Sequence, residues 1–422
     1  MMYVLSHSWA LLLGMMLLMI GNGLQGTLLG VRGGLEGFST FELSLVMSAY
    51  FVGFLGGSRM APNMIRRVGH VRVFAALASL ISTVLILYPV LPNSAAWFAG
   101  RVLIGFCYSG VYVTAESWLN NSANNETRGQ ALSAYMIVQM IGIVGAQALL
   151  LLADPAGYEL FIIASVAVSV SFAPILLSIS PTPAFDTTKP MGLRELYHSS
   201  PLGVVGMFLM GGVFSAQFGM AAVYGAQIGL SLGQISLFVA TFYVGALVMQ
   251  YPLGWMSDRM DRRLLIIAVS VVGAVGALVG MLMGSYFVAL LVAAFAVGGM
   301  SNPLYSLLIA HTNDFLEHDD MAAASGGLIF VNGLGAISGP VLTGWIMGAF
   351  GPPGYFLFIA GLMFALAGYA AWRMTQRAAP SVDETGLYTP ITPSATQVMV
   401  EYAQEYAIEA DSEDDGEKPA NA

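Results

Sequence analysis

Charge is what this chain has least of. Of its 422 residues, 9% are Asp, Glu, Lys or Arg and 57% are hydrophobic, whereas a soluble domain carries about 25% charged residues. With a mean hydropathy of +0.75, the composition is that of a polytopic membrane protein. Cysteine occurs once, at Cys107, which excludes a disulfide framework and a thiolate metal site. The five histidines (His7, His70, His198, His311 and His318) include no pair at metal-ligand spacing. No His, Cys or carboxylate constellation suits metal or nucleophile chemistry, so neither an enzyme nor a cofactor is expected, and no nucleic-acid partner. A basic leader is missing too. The first apolar stretch is long enough to span a bilayer itself, and no cleavable signal peptide is expected.

The formal charge of −9 is local. Residues from Ala378 onward hold ten acids and one lysine, which leaves fourteen of each sign elsewhere. Apolar stretches long enough for a core of about 30 Å fall near 8–30, 40–61, 71–91, 94–119, 128–152 and 157–179. A second set falls near 201–226, 232–256, 264–283, 285–310, 322–346 and 352–374. The expectation is an all-α membrane protein of twelve helices in two pseudo-symmetric bundles of six. The bundles are 1–179 and 201–377, with a connector at 180–200 and an acidic, disordered tail at 378–422. Arg66, Arg67, Arg72, Arg128, Lys189, Arg194, Arg259, Arg262 and Arg263 crowd alternate loops. The positive-inside rule then puts both termini in the cytoplasm.

The halves can be overlaid. A shift of 192 residues places the capping box Ser39-x-x-Glu42 on Ser231-x-x-Gln234, Phe51-Val52-Gly53 on Tyr243-Val244-Gly245, and Gln25 on Gln217. A shift of 193 pairs Gln139-x-x-Gly142 with Asn332-x-x-Gly335. Such duplications commonly enclose a substrate site near the midplane.

After the eighth span comes GWMSDRMDRR, with Gly254, Asp258, Arg259, Asp261, Arg262 and Arg263. It resembles the loop signature G-x-x-x-D-R-x-G-R-R of the major facilitator superfamily, in which a tight turn lets arginines bind carboxylates at helix ends. The eleventh span holds Gly335, Gly339, Pro340 and Gly344, which look like the family's glycine–proline hinge, with generic small-residue packing as the alternative. The combination YFVGFLGGS, IRRVGHVRVFAALAS, AESWLN and RGQALSAYMIVQ is similar to the YcaD-type branch. The resemblance implies a secondary transporter of the bacterial inner membrane, working as a monomer by rocking-bundle alternating access on a small organic solute, with protons as the coupling partner. The rival reading is a membrane receptor that signals through its acidic tail.

In the family, spans 1, 4, 7 and 10 surround the cavity. That makes Asn22, Gln25 and Gln217 candidate cavity hydrogen-bonders, with interhelical glue as the alternative. Arg101 resembles the arginine of the family's R-x-x-x-G in the fourth span, tied to proton coupling or anionic cargo; a snorkelling arginine is the alternative. Tyr108, Tyr112, Gln139, Asn302, Tyr305 and Asn332 complete the cavity candidates. GNGLQG at Gly21–Gly26 matches a dinucleotide fingerprint, yet it lies within an apolar span with no preceding strand, so that reading fails.

The first-half copy of the loop lacks its aspartate: Arg66 stands where the repeat places Asp258, and Arg67 matches Arg259. Glu116 sits near the cytoplasmic end of the fourth span. It is fifteen residues from Arg101, about 22 Å along a helix, so those two cannot pair. Glu116 is therefore expected to be the substitute carboxylate of a first-half latch with Arg66, Arg67, Arg72 or Arg128. Interfacial pairing and proton carriage are its other possible roles. In the tail, Val398, Met399, Tyr402 and Tyr406 fall at helical spacing, which leaves room for a short helix induced by a partner.

Overall fold

A computed structural model describes residues 2–122, 127–177, 191–377 and 385–417. All regular structure among them is helical. The first half comprises α1 (Met2–Leu35), α2 (Thr40–Val68), α3 (His70–Val90), α4 (Ser94–Ser122), α5 (Arg128–Leu149), α6 (Glu159–Ser171) and a short continuation, α7 (Ala173–Leu177). After α8 (Leu193–Ser199) come α9 (Pro201–Gln227), α10 (Leu232–Ser257), α11 (Arg262–Leu282), α12 (Phe287–Asn313), α13 (His318–Phe350) and α14 (Gly354–Met374). A last helix, α15, spans Gln397–Glu417. Among the described residues, twelve helices are long and apolar enough to cross a membrane.

The sequence repeat is a packing repeat. In the first half α1 packs on α5, α2 on α4 and α3 on α6; in the second, α9 packs on α13, α10 on α12 and α11 on α14. Glycines at matched positions permit the close approaches. A Cβ at Gly53 would fall 1.8 Å from the Val102 carbonyl of α4, and one at Gly245 would fall 2.3 Å from the Phe295 carbonyl of α12. Both expected capping boxes form. Ser39 and Ser231 accept from the amides of Glu42 and Gln234, whose side chains return bonds to the cap amides at 2.9 Å.

Several helices outrun their apolar cores. The second span continues through Pro62 to Val68 and carries Arg66 and Arg67 in its last turn. Hydropathy ends at the lipid boundary, whereas backbone hydrogen bonding continues into the aqueous layer, where cations suit a helix C-terminus. GNGLQG lies inside the unbroken helix α1.

The halves meet differently at the two ends. Opposite the basic loops they touch directly: Gln227 bonds Thr40, Ser236 bonds the Gln147 carbonyl, and a Cβ at Gly344 would fall 2.4 Å from the Ser44 Cβ. Of the expected hinge glycines, Gly344 thus serves this close packing. At the basic end the tail lies between the halves. This departs from the expected disorder. Ile391, Ala395, Thr396, Met399, Val400, Tyr402, Ala403 and Gln404 are all buried. Composition pointed to disorder because the acids cluster late, while the segment just before them carries enough apolar surface to pack on the helices around it.

Candidate functional site

A cavity of about 50 Å³ lies between the halves. Its wall joins Asn22 of α1, Tyr50, Phe51 and Phe54 of α2 and Tyr112 of α4 to Phe214 and Phe218 of α9 and Tyr243 of α10. Asn302 of α12 and Asn332 of α13 add two further amides, and Thr392–Ala395 of the tail closes the basic end. Among the described residues no charged side chain lines it. Aromatic contacts cross the interface: Phe51 meets Phe214 edge-on at 6.3 Å, and Tyr50 lies 6.0 Å from Phe218.

Behind this wall runs a polar chain. The Asn22 amide donates to the Tyr112 hydroxyl at 2.9 Å, Gln25 donates to the Asn22 Oδ1 at 3.0 Å, and Arg101 donates to the Gln25 Oε1 at 2.8 Å. Arg101 is fully buried, which removes the snorkelling alternative. Its guanidinium lies 4.9 Å from the Tyr50 ring centroid and 3.5 Å from the Met47 sulfur, and its Nε has no hydrogen-bond partner. Among the described residues no carboxylate forms an ion pair with it. The cation is held by an amide dipole and a π-face in place of a counter-ion.

The candidates therefore divide. Asn22, Tyr112, Asn302 and Asn332 line the cavity. Gln25 and Arg101 stand one and two steps behind it. Gln217 instead links α9 to α12, exchanging bonds with Ser301 at 3.0 and 3.2 Å; its partner hydroxyl is invisible to a search for matched amides. Tyr108 bonds the Leu18 carbonyl at 3.2 Å, and Gln139 and Tyr305 are buried outside the wall. Tyr50, Phe51, Phe54, Phe214, Phe218 and Tyr243 were not singled out, since aromatics in an apolar run look like packing. The signal that would have found two of them was the repeat, which aligns Phe51 with Tyr243.

The basic end holds the gate candidates. The Glu116 carboxylate is 1% exposed and accepts from the Tyr135 hydroxyl and the Thr396 amide, each at 3.1 Å, and from the Thr396 hydroxyl. Thr396 directly precedes α15, so the same carboxylate caps the N-terminus of that helix. No arginine is among its partners, so the expected latch to Arg66, Arg67, Arg72 or Arg128 is absent from this conformation. Arg66, Arg67 and Arg72 are exposed, and Arg128 binds Glu405 at 3.2 Å with the Tyr402 ring 5.3 Å away.

In the second half, Asp258 accepts the Tyr388 amide at 2.7 Å and lies 3.8 Å from Arg262. Arg262 is committed to Asp314, Ser257 and the Gly386 carbonyl. Asp261 caps α11 and pairs with Arg263 at 2.9 Å, and Arg263 also bonds the Arg377 carbonyl at 2.7 Å. Arg259 stacks on Trp255 at 4.6 Å. Burial raises the Asp258 carboxyl above its ordinary value against the pull of the Tyr388 amide and Arg262. Asp261 ends below its ordinary value because the Arg263 bonds outweigh burial. Gly254 faces the tail, and a Cβ there would fall 2.7 Å from the Tyr388 ring.

The Major Facilitator Superfamily model matches residues 11–232 and 203–400. The chain belongs to this superfamily. An "uncharacterized MFS-type transporter" of Yersinia pestis (strain Pestoides F) is 26% identical over 359 residues, covering 84% of this chain and 92% of the relative. The MFS-type transporter YcaD of Escherichia coli O6:K15:H31 is likewise 26% identical, over 360 residues and the same shares. Among solved structures, a variant of the nucleoside transporter NupG superposes with a TM-score of 0.73 at 13% identity, over 86% of this chain and 99% of that one. A bacterial homologue of the human lysosomal transporter Spinster, inward-facing and unoccupied, gives 0.65 at 14% identity, over 96% and 97%. The superfamily member is thus a multi-pass secondary transporter and not an enzyme.

Proposed function

We propose that this transporter carries a small, uncharged or weakly charged solute with an aromatic or otherwise flat apolar body and a few hydrogen-bonding groups. It does so by alternating access of the two halves, in exchange with protons. The carrying observation is the cavity wall: six aromatic side chains from α2, α9 and α10, with Tyr112 and three amides, and no ion. Aromatic faces offer dispersion and π contact, and Asn22, Asn302 and Asn332 can turn to meet donors or acceptors on the cargo. A multiply charged solute would meet no counter-charge there.

The direct contacts opposite the basic loops support an arrangement closed at that end. With the basic loops in the cytoplasm, that end faces outward and both termini lie on the cytoplasmic side of a bacterial inner membrane, in which the protein works as a monomer. Glu116 is the fully buried carboxylate of the described spans, which makes it the group through which a proton would act.

A thermal-shift screen of flat, neutral solutes on purified protein should reveal stabilising ligands. Each should then enter proteoliposomes faster with a pH gradient than without one. Equal rates with and without the gradient would end the proton-coupling reading, and stabilisation by polyanions alone would end the cargo reading.

One observation favours a second reading, a receptor whose tail is its output: the tail is seated between the halves, so a ligand that moves them would release it. Cargo flux through the full-length protein in proteoliposomes decides between the two, because a receptor moves none.

A further inference from the structure

The tail is built into the cytoplasmic end of the molecule, and each half holds it by a carboxylate. From Thr385 the described chain runs beneath the second half. There Asp258 takes the Tyr388 amide, Gln250 donates to the Tyr388 hydroxyl at 2.9 Å, and Ser306 bonds both the amide and the carbonyl of Ile391, at 2.9 and 3.0 Å. Thr392–Ala395 then turns up into the interface and becomes the floor of the central cavity. At Thr396 the chain reaches the first half, where Glu116 caps α15. The helix runs on between the halves, bound to Ser325 and Asn313 of the second through Gln404, at 2.9 and 3.1 Å, and to Arg128 of the first through Glu405.

Three features set this apart from a tail resting on a surface. Its central residues are as buried as helix core: Val400, Tyr402 and Ala403 have no exposure. Side chains of both halves bind its backbone: Asp258, Arg262 and Ser306 of the second half meet groups of Gly386, Tyr388 and Ile391, and Glu116 of the first meets the Thr396 amide. And the space left above it, about 50 Å³, is far below the roughly 300–1,000 Å³ of a small-molecule site.

We propose that residues 386–406 are the cytoplasmic gate of this transporter, a plug carried in cis that floors the cargo cavity and ties the two halves together, and whose departure opens the cavity to the cytoplasm. This rests on the transporter reading and deepens it. In this conformation Glu116 pairs with none of the described arginines of the first-half loop and serves instead as the clasp of the plug. Losing the bonds at Glu116, Ser306 and Asp258 frees a segment that is tethered at Arg377.

The experiment reads accessibility, not flux, so it stands whether or not a cargo is found. Asn302, on the cavity wall, becomes the sole thiol as Asn302→Cys in a Cys107→Ser background, and inside-out membrane vesicles are treated with a membrane-impermeant maleimide. The intact chain should label slowly. Deletion of residues 378–422, and separately Glu116→Lys, should each raise the labelling rate at least tenfold. Labelling from the opposite face should stay unchanged. If the truncated chain does not fold, as judged by a monodisperse elution profile, Glu116→Lys in the full chain decides alone. A rate within twofold of the intact chain in the variant that folds overturns the gate. A missing transport activity with the expected labelling would overturn the transporter reading and leave the plug standing.

Discussion

The two halves hold the same segment with the same kind of group in opposite settings. Asp258 sits in the loop after α10, its side chain 27% exposed, and binds one tail amide with Arg262 nearby. Glu116 sits inside α4, 1% exposed, and binds two groups of Thr396 with no ion pair to a cation among the described residues. The repeat would have put the first-half carboxylate in the loop, where Arg66 stands instead. Moving it one helix along and into the interior turned a surface contact into a buried helix cap. A buried acceptor facing several donors is costly to remove, because every donor is left unpaired where water cannot replace it. The surface copy loses little, since water fills in.

That contrast sets the order of expected effects, all read as hydrogen exchange of tail amides. The largest belongs to Glu116→Ala. Losing the acceptor for the Tyr135 hydroxyl and for Thr396 should cost docking about 3 kcal/mol, so exchange across Thr396–Ala403 should accelerate by about a hundredfold. Asp258→Ala should cost about 1 kcal/mol, a change of about fivefold confined to Gly386–Ile391. An Asp258 effect exceeding that of Glu116 would reverse the comparison.

Glu401 offers a smaller, pH-dependent test. Burial raises its carboxyl to about 7, against a bond from Gln397 at 2.7 Å and helped by Glu405 on the same helix. Arg59 and Arg66 of α2 share its cleft. A carboxyl raised on docking favours the protonated form, so docking should be strongest at low pH, weaken from about pH 4.5 to 7, and level off above. Glu401→Gln should remove that slope, slowing exchange much more at pH 8 than at pH 5. A slope that survives the substitution would assign the titration elsewhere. The smallest effect is expected at Glu405→Gln, whose side chain is 54% exposed in its pair with Arg128. Exposed pairs contribute about 0–1 kcal/mol, so exchange should change by no more than about fivefold, and the difference should shrink in high salt.

What could be read in advance follows the range of each interaction. Span count, both capping boxes and the duplicated halves come from local periodicity and short spacing, and all three are present. Arg101, Asn22 and Tyr112 could be picked out because polar groups in an apolar run demand a partner, and here they supply one another through Gln25. Gln217 was misplaced because its partner, Ser301, lies 84 residues away. The expected latch at Glu116 was drawn from charge balance in neighbouring loops, yet neutral donors 19 and 280 residues distant took the site.

By itself, then, the sequence determined that this chain spans a membrane twelve times as a repeated unit, because lipid forces every span to satisfy its own backbone and to read as apolar. Only the tertiary structure decided what becomes of the tail. Its composition resembles that of a solvated segment, and whether it folds depends on surface it can bury. That surface exists only after both halves have closed around a central gap and offered it Ser306, Asp258 and Glu116.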